Sequence, residues 1–189
     1  MAAVDNIMAI LNLQFTSLEG GTQQVIFNAG DDYFGIDILN IKEIIRYIPP
    51  TKVPKAPVFV EGVINFRGEI IPVLNLDRVF GSASNNKEYT VIVVVETSQK
   101  MYGLLVENVL DIVSFGTAEI QPVPEFSNNE KTQYLKSMAK HDDQIVLMLD
   151  LDKLVDFEAV EQSMARLKAS QSYESSGKRS RSSKNATGE

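Results

Sequence analysis

Val58–Phe80 reads VFVEGVINFRGEIIPVLNLDRVF, and its middle is two β-branched-rich runs, Val60–Phe66 and Glu69–Leu76, separated by Arg67-Gly68. A two-residue step between such runs predicts a β-hairpin, with Gly68 taking the positive φ that the tight turn needs. The turn lifts Arg67 to a strand tip. Pro72 has no amide hydrogen, so its strand cannot be fully paired there and is expected at an edge or a bulge.

The segment returns, degraded, 75 residues on: Gly68–Phe80 aligns with Asp143–Val155, with coincidences at Ile70/Ile145, Leu74/Leu149, Leu76/Leu151 and Asp77/Asp152. At an offset of 68, Phe34-Gly-Ile-Asp-Ile-Leu-Asn-Ile-Lys-Glu-Ile44 aligns with Tyr102-Gly-Leu-Leu-Val-Glu-Asn-Val-Leu-Asp-Ile112. A longer connecting loop in the second copy accounts for the difference. The period is too long for a solenoid and reads as one small β unit used twice. In this reading the halves run from about 23–84 and 87–156.

Outward from the repeat, Gln24–Asn28 and Tyr33–Ile38 predict a hairpin about Ala29-Gly30-Asp31-Asp32. Ile41, Ile44 and Ile45 fit a helical turn or a continued strand. Pro49, Pro50, Pro54 and Pro57 enforce an extended connection. Leu76–Phe80 predicts a helical turn closed by Gly81, and Ser82–Lys87 a polar loop. The unbroken Thr90–Val95 run predicts a strand buried on both faces, and Lys100–Val106 and Val109–Phe115 continue the sheet. Pro122–Asn129 is a loop, Tyr134–Lys140 and Gln144–Leu149 a second hairpin, and Asp156–Lys168 has helical character.

The chain has 189 residues, 44% of them hydrophobic, enough for a core of one domain or two intimate halves. No run approaches the ~18 apolar residues of a membrane span. The first residues lack the basic region of an export signal, so a cytoplasmic location is expected. Cysteine is absent, which removes disulfides, thiolate metal sites and cysteine nucleophiles. The formal charge is −7; the last 18 residues hold four basic and two acidic side chains, so the remainder carries −9. Such a body is a poor electrostatic partner for nucleic acid. Residues 1–22 form an extension, 157–171 a C-terminal helix, and the serine-rich tail 172–189 is expected to be disordered.

Catalytic constellations are missing. His141, the only histidine, sits in Lys140-His-Asp-Asp143 and reads as a hairpin-turn residue, not a general base. There is no Gly-rich phosphate loop, HExxH or GxSxG. Asp31-Asp32 and Asp142-Asp143 supply turn geometry, and the oxygen ligands lack EF-hand spacing. The expectation is a binding module with no cofactor and no metal, and not an enzyme.

Val60-Glu-Gly-Val-Ile-Asn-Phe-Arg-Gly-Glu-Ile-Ile-Pro-Val-Leu-Asn-Leu76 resembles the hallmark segment of the CheW family of bacterial chemotaxis coupling proteins. Tyr33–Ile44, Val53-Pro54 and Gly103–Val109 are similar to the rest of that pattern, and the resemblance spans about residues 23–156. Asn75 stands where aspartate is commoner. The resemblance implies an all-β fold with short helices: two intimately packed SH3-like five-stranded β-barrels related by internal duplication. It further implies a non-enzymatic adaptor that joins the tips of methyl-accepting chemoreceptors to the histidine kinase CheA, in arrays beneath the inner membrane. The receptor-side residues it implies are Ile41, Glu43, Gly62, Arg67 and Gly68, with Val106 and Val109 carried by a looser match. Kinase contacts are implied only at the barrel ends.

Each of these residues has a plainer reading: Ile41 as core, Glu43 as a solvated acid, Arg67 as an exposed turn residue, and Gly62 and Gly68 as backbone devices. An apolar groove with a few marginal charges is nonetheless how an amphipathic helix is commonly held. The rival with the same fold is a paralogous adaptor serving a motility or gene-expression pathway. The rival of another class is a small β-barrel that binds nucleic acid, against which stand the acidic body and the want of an aromatic-basic stripe.

Overall fold

The computed structural model describes residues 22–81, 91–98, 100–124 and 132–154, with residue 165. The expectations for the N-terminal extension, the C-terminal helix and the tail fall outside these residues, residue 165 apart. In chain order the strands are β1 Thr22–Ala29, β2 Asp32–Asp37, β3 Ile41–Arg46, β4 Val60–Phe66, β5 Glu69–Asn75 and β6 Val91–Glu96. They continue with β7 Met101–Val106, β8 Asn108–Phe115, β9 Ile120–Gln121, β10 Leu135–His141 and β11 Gln144–Leu149. The predicted helical turn is present as a short α-helix, Leu76–Phe80. Gly81 ends it at φ 69°, the left-handed conformation that a glycine takes at little cost. Ile41, Ile44 and Ile45 settle as strand β3, after a 3-10 turn, Ile38–Asn40, in which the Asp37 carboxylate accepts the Leu39 amide proton.

Two sheets result, one in the order β3-β6-β7-β5-β4 and one in the order β8-β1-β2-β11-β10-β9. The second has six strands where five were expected. The addition is β9, two residues that pair with Met138 and Ala139. The repeat maps onto this topology strand by strand: an offset of 68 carries β2 and β3 onto β7 and β8, and an offset of 75 carries β4 and β5 onto β10 and β11. Replacing each strand by its counterpart converts one order into the other, with β1 standing for β6. The two sequence halves are therefore not the two sheets. Each sheet takes a hairpin pair from one half and its remaining strands from the other, three in the five-stranded sheet and four in the six-stranded one, with parallel junctions of β5 with β7 and β2 with β11.

Packing follows from strand periodicity. Along β6, Val91, Val93 and Val95 point to one face, and Ile92 and Val94 to the other. The first set joins Val25, Phe27, Phe34, Leu74, Leu104 and Leu151 in a large core shared by both halves. The second joins Ile64, Phe66, Ile71, Val73 and Leu105 inside the five-stranded sheet. Ile26, Phe115, Ala139, Val146 and Met148 fill the equivalent space in the six-stranded sheet. Both faces of β6 are thus buried, as its unbroken apolar run predicts. In the shared core Tyr102 donates its hydroxyl proton to the Leu151 carbonyl at 2.7 Å, and burial pushes that hydroxyl up, helped by Asp152 and Asp150.

Pro72 departs in part from expectation. Its strand is not at an edge but between β4 and β7. The opposing residue, Val63, turns its amide and carbonyl the other way, to Thr51, so the Val63/Pro72 pair carries no ladder bond. On the far side, parallel pairing with β7 begins only at Val73. The missing amide hydrogen falls where no partner waits.

Candidate functional site

The β4–β5 hairpin turns on Arg67 at φ 51° and Gly68 at φ 90°. Positive φ at both central residues is the pattern of a type I′ turn, whose twist matches that of the flanking strands. The sequence reading anticipated it at Gly68 alone; the two-residue loop length was the signal for Arg67. Asn65 steadies the turn by accepting the Gly68 amide proton on Oδ1 at 2.9 Å. A Cβ at Gly68 would meet nothing within 4 Å, so backbone conformation and not crowding selects glycine there.

Arg67 reaches from this tip to β3, at the other end of the same sheet. Its Nη2 lies 2.5 Å from Glu43 Oε2, and its guanidinium sits over the Phe66 ring, 5.3 Å from the centroid. Because β3 and β4 are the outermost strands, this contact bridges the two ends of the sheet across its seam. A register shift between Ile41 and Glu43 marks a bulge in β3. Bulges re-aim side chains locally. Ile41 goes inward and is core, 5% exposed, while Glu43 stays 32% exposed and Arg67 75% exposed. The charges stand at the surface with Ile70, at 43% exposure, on the same hairpin.

Gly62 has a different task. A Cβ there would lie 2.4 Å from the Thr51 carbonyl oxygen and 2.9 Å from Pro50 Cβ. Glycine lets the proline-rich connection lie flat against β4, where Thr51 and Val63 exchange amide-to-carbonyl bonds of 2.8 and 2.9 Å. Next to it Glu61 gathers Lys52, Arg78 at 3.1 Å and the Asn75 amide at 3.4 Å. Partial burial raises the Glu61 carboxyl, but the Lys52 bond, the Arg78 charge and the Asn75 amide outweigh it and hold the group below its ordinary value. Asn75 also caps the short helix by accepting the Arg78 amide proton at 3.3 Å. An aspartate could cap equally well but would set a second carboxylate beside Glu61.

Val106 and Val109 make up the looser half of the expected set. They are fully or almost fully buried in the shared core. Between them, Glu107 does what the sequence reading missed: it accepts the Asn28 side-chain amide and the Gly30 backbone amide at 3.1 Å each, tying the β1–β2 turn to the β7–β8 turn. Its place in a tight turn between two apolar residues was the available signal. The structure therefore brings Glu43, Arg67 and Gly68 together, sets Gly62 on the adjoining strand as a packing device, and leaves Ile41, Val106 and Val109 in the core. Among the described residues no group of three or more His, Asp or Glu side chains is placed to hold a metal ion. No helix of the described residues is long and apolar enough to cross a membrane.

Comparison with known proteins bears on this arrangement. The model of the CheW-like domain matches residues 23–159. The chemotaxis protein CheW of Klebsiella aerogenes is 33% identical over 139 residues, which cover 73% of this chain and 84% of that protein. A probable chemotaxis protein CheW of Rhizobium etli is 31% identical over 137 residues, covering 72% and 88%. Among solved structures, the scaffolding protein TtCheW from Thermoanaerobacter tengcongensis superposes with a TM-score of 0.67 at 31% identity, covering 72% of this chain and 93% of that one.

Proposed function

This chain belongs to the CheW-like domain family, and we propose that, as a non-enzymatic scaffold like the TtCheW it resembles, it couples chemoreceptor tips to the histidine kinase CheA. The single observation that carries the reading is the Glu43–Arg67 pair. It stands on the family's Asn-x-Arg-Gly hairpin, holds opposite charges at the seam of a barrel, and leaves both reachable from solvent. A receptor tip is a helical element, and apolar contacts with charged margins suit such a ligand, the charges fixing orientation. Glu43, Arg67 and Gly68 form this receptor-side margin; Gly62 positions the strand beneath it. The kinase's related domain docks at the barrel ends, away from this tip. The protein then works on the cytoplasmic face of receptor arrays, without inserting in the membrane.

An adaptor acts by occupancy. In a reconstituted mixture of receptor fragments and kinase, kinase activity is expected to rise with added protein and level off at a fixed stoichiometry. Saturation by substoichiometric, recycling amounts would overturn the proposal, as would the absence of any activation.

A further inference from the structure

The repeat that relates the two sheets also relates their seams. An offset of 68 carries Glu43 onto Asp111, and an offset of 75 carries Phe66-Arg67 onto His141-Asp142. In the six-stranded sheet β8 is one outermost strand and the β10–β11 hairpin lies toward the other end, as β3 and the β4–β5 hairpin do in the first. His141 stands at this second seam. Its Nε2 lies 3.5 Å from Asp111 Oδ2 and 3.5 Å from Asp142 Oδ2, and its ring meets Phe115 edge-on with centroids 6.3 Å apart. Where the first copy stacks an arginine on a phenylalanine and pairs it with an acid, the second puts an imidazole between two acids.

We infer that His141 is a proton-dependent clasp across the seam of the six-stranded sheet, the counterpart of the Arg67–Glu43 clasp on the other. The surroundings leave the imidazole as the variable group. Lys140 and Asp143, on the same hairpin, pair with each other at 2.7 Å, and Glu119, beyond Phe115, accepts the Gly116 amide proton. The strand partner of His141 is the neutral Gln144. Carboxylates in general stay charged between pH 6 and pH 8, while histidine changes charge in that range. The attraction to Asp111 and Asp142 is ionic only when the ring is protonated. The inference is independent of the adaptor reading.

Amide hydrogen exchange of the full chain, corrected for the intrinsic pH dependence of exchange, tests it. Protection of the β8 and β10 amides around the seam is expected to be ~two- to fivefold higher at pH 6 than at pH 8, the range that partly exposed ion pairs give. The β3 and β4 amides serve as an internal reference and are expected to show no such ratio. In His141→Phe, which installs the residue type of the first copy, and in Asp111→Asn, the ratio should fall toward one. An equal ratio in wild type and in both variants overturns the clasp, and so does a pH effect of the same size at both seams.

Discussion

Arg67 keeps most of its side chain in water while its guanidinium meets both Glu43 and the Phe66 ring. At that exposure an ion pair contributes about 0.2 to 1 kcal/mol to folding, so stability is not what sets the residue there. Arg67→Ala is expected to lower stability by less than about 1 kcal/mol but to cost about 2 kcal/mol or more of affinity for a receptor tip, because a docking helix removes water from the pair. Glu43→Ala and the double variant should show coupling between the two sites instead of additivity. Affinity for the kinase domain, measured on the same folded protein, should be unchanged; equal losses on both partners would refute the division of labour. Glu61 behaves differently, because its charge is spent inside the fold. Its carboxyl is held below the ordinary value, so the charged form is the favoured one in the folded state. The stability this supplies is present above an unfolded-state value near 4.5 and is lost as pH falls through the lower folded value. Urea denaturation of Glu61→Gln should show a deficit of up to about 1 kcal/mol at pH 7 that closes toward wild type in acid. A deficit that persists unchanged in acid would mean that the variant acts through packing.

At the scale of strands, the parallel junctions between halves depend on a matched pair of glycines. Gly35 on β2 faces Met148 of β11, and Gly103 on β7 faces Val73 of β5, in corresponding places of the two sheets. A Cβ at Gly103 would fall 2.8 Å from Ile92 Cγ2 and 3.3 Å from Val73 Cγ2, two buried β-branched side chains with little freedom to yield. At Gly35 the nearest obstruction, at 2.6 Å, is the Met148 sulfur, part of an unbranched and adaptable side chain, with Val146 Cγ1 next at 3.2 Å. Gly103→Ala is therefore expected to cost about 1 to 3 kcal/mol by overpacking, and Gly35→Ala less, as read from denaturation midpoints at constant slope. Elements of this kind divide what was legible from what was not. The hairpins, the helical turn and the β6 strand each carry a local signature, either a turn residue at a fixed place or a period of two, and each appears where it was expected. Strand β9 is too short to have a period. Ile41, Val106 and Val109 are apolar on alternating strands, and alternation tells which side a residue faces without telling whether that side is core or groove. Glu43 and Arg67 were legible only through a family motif, since in isolation each is an ordinary surface charge.

For the whole molecule the decisive feature is that a twofold repeat in sequence is not a twofold division in space. The repeat was visible because Ile, Leu, Gly and Asp recur at constant offsets, but partner choice was not. A β-branched strand pairs equally well with a strand of its own half or of the other, and only the closing of a common core decides. Here Phe27 and Phe34 from the first half, and Val93, Leu104 and Leu151 from the second, occupy one continuous apolar cluster. If residues 1–86 and 87–189 were autonomous, each would fold alone and heating would resolve two transitions. The interleaving argues the reverse. Severed from each other, the first half would expose the edges of β2 and β5 and the second those of β11 and β7, each together with its share of the common core. The intact chain is thus expected to unfold in a single calorimetric transition whose van't Hoff and calorimetric enthalpies agree. Expressed apart, each half should show poor amide dispersion or aggregate, and mixing them from denaturant should restore the native spectrum in proportion to the scarcer half. Two well-folded fragments that ignore each other would show that the cores are separable and that the exchanged strands are dispensable.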